Sequence, residues 1–117
     1  SLLDLGAQLI FGSDAPVETP NPFAGLHAAV TRRRADGNPS PQGWYPSQRL
    51  TVAQTLHAYT SAPAHIYGRQ SEQGSLLPGS FADLILLEQD PFEIQPDDLL
   101  FLKPSGTMVE GEWVWQM

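Results

Sequence analysis

The sequence predicts a mixed α/β fold, and three features carry that expectation. A short apolar run, Leu9-Ile10-Phe11, lies between Gly6 and Gly12 and runs into Ser13-Asp14-Ala15-Pro16-Val17, as a buried strand runs into a loop. Two stretches with helical spacing of apolar residues follow, at 23–30 and 51–59. From Gly74 the pattern changes to short segments of period two, which mark strands.

Leu2-Leu3-Asp4-Leu5-Gly6 reads as the tail of a helix with Gly6 just past its end. A chain that opens at Ser1 on the end of an element is expected to be a piece of a longer one. Gly12 lets the backbone turn as the first strand finishes, and Pro16, which has no backbone donor, takes the chain out of the sheet. Asp14 is thereby expected just past the C-terminal tip of a strand at Leu9–Phe11, where α/β barrels build their active sites. Two readings of Asp14 stand side by side: a cap for the next turn or helix, or a carboxylate that does chemistry.

After a loop in which Pro20 and Pro22 flank Asn21, residues 23–30 predict a helix with Phe23, Leu26 and Val30 on one face. Arg32, Arg33 and Arg34 close it and suit the negative end of the helix dipole; a solvated helix terminus is preferred there to an anion site. Residues 35–46, with Gly37-Asn38-Pro39 and Pro41, read as a loop. Thr51-Val52-Ala53-Gln54 has the form of a capping box, so a helix starts at Thr51 with Val52, Leu56 and Tyr59 as its apolar stripe. Ser61-Ala62-Pro63 interrupts it and opens a short helix that Gly68 ends. Pro78-Gly79 predicts a type II turn. A strand follows over Phe81–Leu87, and a hairpin joins Thr107-Met108-Val109 to Trp113-Val114-Trp115 across Glu110-Gly111-Glu112. So few strands need partners from elsewhere in a longer chain or from another copy.

At 117 residues the chain suits one small domain and is too short for a complete eight-fold barrel of about 250 residues. Six basic and 13 acidic residues give a formal charge of −7, which argues against a nucleic-acid surface. The charge is uneven: residues 1–71 hold four acids and five bases, and residues 72–117 hold nine acids and one base, Lys103. A change of character near Gly68 to Gly74 follows. The absence of cysteine excludes disulfides and thiolate metal sites and fits a reducing, cytoplasmic compartment. The longest apolar run, Leu84–Leu87, is far too short to span a bilayer, and no signal peptide begins at Ser1, so no membrane partner is expected.

The order of these motifs resembles the amidohydrolase superfamily. Phe11-Gly12-Ser13-Asp14-Ala15-Pro16-Val17 is similar to the motif of its eighth strand, and Leu50–Thr60 followed by Ser61-Ala62-Pro63-Ala64 to the helical segment after it. Residues 74–85, from Gly74-Ser75-Leu76-Leu77-Pro78-Gly79 to Asp83-Leu84-Ile85, resemble the return into a small β-sandwich, and Val109–Val114 the closing hairpin. The Ser-Asp-Ala-Pro-Val wording and the Asn-Pro-Phe stretch look most like the N-substituted formamide deformylase-like branch.

The resemblance implies the C-terminal part of a TIM-like (β/α)8 barrel, with its last strand and following helices in residues 1–71. Residues 72–117 then supply strands of a composite β-sandwich domain, with Trp113 and Trp115 in its core. It implies a metal-dependent hydrolase of non-peptide carbon–nitrogen bonds, of amide or N-formyl type, with a small-molecule substrate. A divalent metal, usually zinc, activates the water in that family. The eighth-strand Asp contacts the metal or its water and passes the proton to the leaving group, and both the catalytic and the metal role fall on Asp14. The other ligands belong to earlier strands, in the remainder of the parent chain. None is assigned here, and these residues alone are expected to hold no metal and to be catalytically inert. His27, His57 and His65 lack metal-site spacing and are expected to pack or face solvent. Ser13 lacks the Gly-X-Ser-X-Gly elbow of a hydrolase nucleophile. A homo-oligomer is compatible with all of this. The rival reading is a non-catalytic α+β interaction module built on the same scaffold.

Overall fold

Local signals fix most element ends in the computed structural model, which describes residues 1–117. A single 3-10 turn covers Leu3–Leu5, and Gly6 closes it in the left-handed region at φ 79°. Helix α1 spans Pro22–Thr31; Asn21 caps it by accepting from the Phe23 amide at 3.0 Å, and Pro22 takes the first turn, where no donor is needed. Arg32 ends α1 with a left-handed φ of 59°, its N–H donating to the Ala28 carbonyl. Helix α2 covers Val52–Tyr59, and its capping box forms as the sequence implied. The Gln54 amide donates to Thr51 Oγ1 at 3.1 Å, while the Thr51 amide donates to Gln54 Oε1 at 2.9 Å. Helix α3, Ser61–Ile66, follows at once.

Gly74 is the clearest case of a glycine required by space. Its φ is 82°, and a Cβ there would lie 2.8 Å from the Ala64 Cβ and 3.0 Å from the Ser61 Cα. The chain therefore passes directly over α3, held by the Ser61 hydroxyl donating to the Gly74 carbonyl at 2.6 Å. The Pro78-Gly79 turn forms, with the Ser80 amide donating to the Leu77 carbonyl and Gly79 at φ 98°.

Strands β1 (Leu84–Leu87), β2 (Pro104–Val109) and β3 (Glu112–Gln116) make one antiparallel sheet in that order. β1 pairs Leu84 with Met108 and Ile85 with Thr107, and β3 pairs Trp115 with Thr107 and Trp113 with Met108, each ladder carrying one irregularity. Glu110 and Gly111, at φ 51° and 83°, turn the β2–β3 hairpin; two positive φ values match the right-handed twist of the flanking strands. The core lies away from the sheet's faces. Phe23 and Leu26 of α1 bury against Leu99 and Leu102, in and just after a 3-10 turn at Pro96–Phe101, with Val30, Leu56, Leu87 and Ile94 around them. Asp97 at the rim of this contact receives the Arg33 guanidinium and faces His27 Nε2 at 3.5 Å.

Several expectations are corrected. Leu9–Phe11 form no strand, because no segment of the chain lies beside them to complete a ladder. The last barrel strand expected there is thus not formed as regular structure. The strand expected over Phe81–Leu87 begins only at Leu84. The sheet stands as a single layer of three strands with no second sheet facing it, so Trp113 and Trp115 stay 42% and 45% exposed instead of filling a core. The Trp113 ring lies flat enough on β2 that a Cβ at Gly106 would come within 2.9 Å of it. Only 12 residues are buried, and the accessible surface is 8154 Å2. A folded monomer of this size exposes about 6,300 Å2, so the excess is roughly 1,900 Å2, about twice what one partner buries in a standard protein interface.

Two substitutions test this account. Thr51→Ala removes the hydroxyl that accepts from the Gln54 backbone amide, leaving the Thr51 backbone amide to donate to Gln54 Oε1, and is expected to cost about 1 kcal/mol in urea unfolding. Leu99→Ala, at a side chain 1% exposed, is expected to cost about 2–5 kcal/mol. A Leu99 variant as stable as the parent would show that the α1 contact is not the core.

Candidate functional site

Asp14 is presented by a loop whose geometry is set from behind. Leu9–Ser13 run without regular structure along the end of α2, and the Phe11 amide donates to the Ala58 carbonyl at 3.0 Å. The Phe11 ring meets the Tyr59 ring edge-on, with centroids 5.5 Å apart and planes at 70°. Asp14 then adopts a left-handed φ of 50°, which Asp tolerates better than most residues. Its carbonyl accepts from the Val17 amide at 2.8 Å and closes the turn.

The Asp14 side chain is exposed, and its carboxylate makes no hydrogen bond or ion pair within the chain. The capping role is thus not taken up. The turn is closed by the Asp14 backbone, and the following helix is capped by Asn21. Beside the loop, Ser13, Glu18, Asn21, Gly25, Arg34 and Tyr59 contribute to a recess of about 760 Å3. The Ser13 hydroxyl has no histidine or acid partner, so it lacks the activation that a serine nucleophile requires.

The other residues singled out by sequence lie apart from Asp14. His27 is 3% exposed in α1, where it packs against Thr31 and Asp97, and its Nδ1 has no partner. His57 and His65 are exposed on α2 and α3. No three His, Asp or Glu side chains come together as a metal-binding group. The three arginines do not behave as one solvated terminus. Arg32 donates through Nε to the Trp44 carbonyl at 3.0 Å and lies 5.4 Å over the Trp44 ring, Arg33 pairs with Asp97, and Arg34 is exposed.

One support behind the site was hidden in the sequence. Tyr59 reads there as part of an apolar stripe, yet its hydroxyl occupies the space above Gly25 of α1, where a Cβ would run into it. Burial pushes the Tyr59 phenol above its ordinary pKa. The available signal was Gly25 itself, a glycine in a helix interior, which costs about 1 kcal/mol against alanine unless something needs the room.

Residues 1–115 match the sequence pattern described as the amidohydrolase family. The chain is 35% identical over 111 residues to the N-substituted formamide deformylase of Arthrobacter pascens, covering 95% of this chain and 20% of that protein. It is 31% identical over 116 residues to YtcJ of Bacillus subtilis, which carries an amidohydrolase name, covering 99% of this chain and 22% of that protein. The crystal structure of an amidohydrolase from Thermotoga maritima superposes with a TM-score of 0.68 at 24% identity, over 99% of this chain and 25% of the other. The chain thus spans about a fifth of the length of the curated relatives it matches. A match that runs through nearly every residue, with Asp14 and the capped α2 inside it, shows that this chain belongs to the amidohydrolase family.

Proposed function

We propose that these residues form the C-terminal part of a metal-dependent amidohydrolase that cleaves a non-peptide carbon–nitrogen bond of amide or N-formyl type in a small molecule. Residues 1–71 complete its barrel and residues 72–117 its sandwich. The observation that carries the reading is the Asp14 carboxylate, presented at a tight turn and engaged in no structural bond, one residue after Ser13, which lines a recess. A carboxylate kept free of partners in a folded loop is available to accept and return a proton. The deformylase relative supports the bond type.

The side chains present do not make a metal site by themselves. Asp14 supplies one carboxylate, whereas a catalytic zinc takes about three protein ligands. What these residues contribute is proton transfer. Ionised Asp14 takes a proton as the water oxygen bonds to the carbonyl carbon, then delivers it to the nitrogen as the carbon–nitrogen bond breaks. The separated chain lacks the rest of the site and is catalytically inert in this account. No helix is long and apolar enough to cross a membrane, and the complete enzyme is proposed to work in the cytoplasm.

Asp14→Asn in the full-length hydrolase keeps the side chain's size and removes its capacity to take a proton. The expected loss in kcat is about 10²–10⁴-fold, with the melting midpoint almost unchanged because the carboxylate holds nothing in place. Near-wild-type turnover would defeat the assignment.

A further inference from the structure

The Asp14 carboxylate has no bond of its own to fix it, so its position is inherited from the backbone three residues earlier. Phe11 is that anchor. Its amide is tied to the Ala58 carbonyl at 3.0 Å and its ring to the edge of Tyr59 at 5.5 Å. Tyr59 in turn is not free to move toward α1, because its hydroxyl already fills the space that the missing Gly25 side chain leaves. The phenol makes no hydrogen bond there, so shape carries the contact.

We propose that Tyr59 is a positioning residue for Asp14: seated over Gly25, its ring sets Phe11, and Phe11 sets the loop that presents the carboxylate. This rests on the reading of Asp14 as the proton acceptor. A base moved by about 1 Å can lose roughly 10²-fold in rate without any change in its chemistry. The requirement for glycine at position 25 follows from the same arrangement. A methyl group there forces the ring toward Phe11, although alanine favours the helix more than glycine does.

The test uses the full-length hydrolase and separates placement from stability. Gly25→Ala retains every side chain and is expected to lower kcat about tenfold or more with KM within about threefold. Its melting midpoint should move by only a few degrees, because the helical gain of alanine offsets part of the crowding against Tyr59. Tyr59→Phe removes only the hydroxyl and should turn over within about threefold of the parent, since the ring remains. Combining the two frees room for the methyl group, and the double variant should regain most of the turnover lost in Gly25→Ala. Amide exchange at Phe11, read by mass spectrometry or NMR, should speed up in Gly25→Ala and slow again in the double variant. Tyr59→Leu removes the ring that Phe11 meets and should likewise lower kcat more than it changes KM and speed up Phe11 exchange, with a lower melting midpoint from the lost packing.

Unchanged turnover and unchanged Phe11 exchange in Gly25→Ala would overturn the proposal. So would a loss of turnover that the double variant does not relieve, which is the mark of damage unrelated to the Tyr59 seat. Asp14→Asn, assayed alongside, distinguishes the two levels. If it stays active, Asp14 is not the base, and Tyr59's part in catalysis falls with it even where Phe11 exchange responds. If it is inactive while Gly25→Ala loses Phe11 protection at full turnover, the catalytic reading stands and the positioning role falls alone.

Discussion

Helix α1 is packed on two sides, and the rest of the chain is arranged around that double contact. On one side Phe23 and Leu26 bury against Leu99 and Leu102, joining residues more than 70 positions apart. On the other, Gly25 admits Tyr59 from α2. The apolar side carries the energy. A fully buried Leu or Phe contributes about 1.5–3 kcal/mol, whereas an exposed ion pair adds about 0–1 kcal/mol. Asp97 is 61% exposed, so its pairing with Arg33 orients the contact more than it strengthens it. Removing the α1 face would separate the helical region from the turn that leads into β2.

The sheet is held differently. Its three strands satisfy one another's backbone groups in the middle, but both outer strands present an open edge. Ile85, Leu86, Trp113, Val114 and Trp115 all remain at least 42% exposed. A surface with that much apolar area on flat, unpaired strands is built to be covered. The proposed place within a longer hydrolase accounts for it, because further strands would pair with the edges and bury the tryptophans.

The candidate site depends on the same scaffold at one remove. Asp14 sits on a turn with no side-chain bond to stabilise it, so its precision comes from the Phe11 anchor on α2. α2 starts sharply at its capping box and leans on α1 through Tyr59. A loop held this way keeps the carboxylate exposed while limiting where it can go, a combination that the proposed proton transfer needs.

What the sequence determined by itself is the set of features that close over three or four residues. The Thr51–Gln54 box, the Asn21-Pro22 start of α1, the Pro78-Gly79 turn and the Glu110-Gly111 hairpin all form as the residues imply. In the first three, the donor and the acceptor are near neighbours, so no distant segment can overrule them; the Glu110-Gly111 turn is set by its local positive φ values, and its amides then find the Ala82 carbonyl and the Asp83 carboxylate. The placement of Asp14 just after an apolar run was legible for the same reason. Whether that run became a strand was not, because a ladder needs a second segment and Leu9–Phe11 meet only a helix end. The burial of His27, the exposure of Trp113 and Trp115 and the seating of Tyr59 over Gly25 were likewise settled in three dimensions. Each depends on which surface arrives opposite, and that is fixed by contacts between residues far apart in the chain, which periodicity along a single segment does not encode.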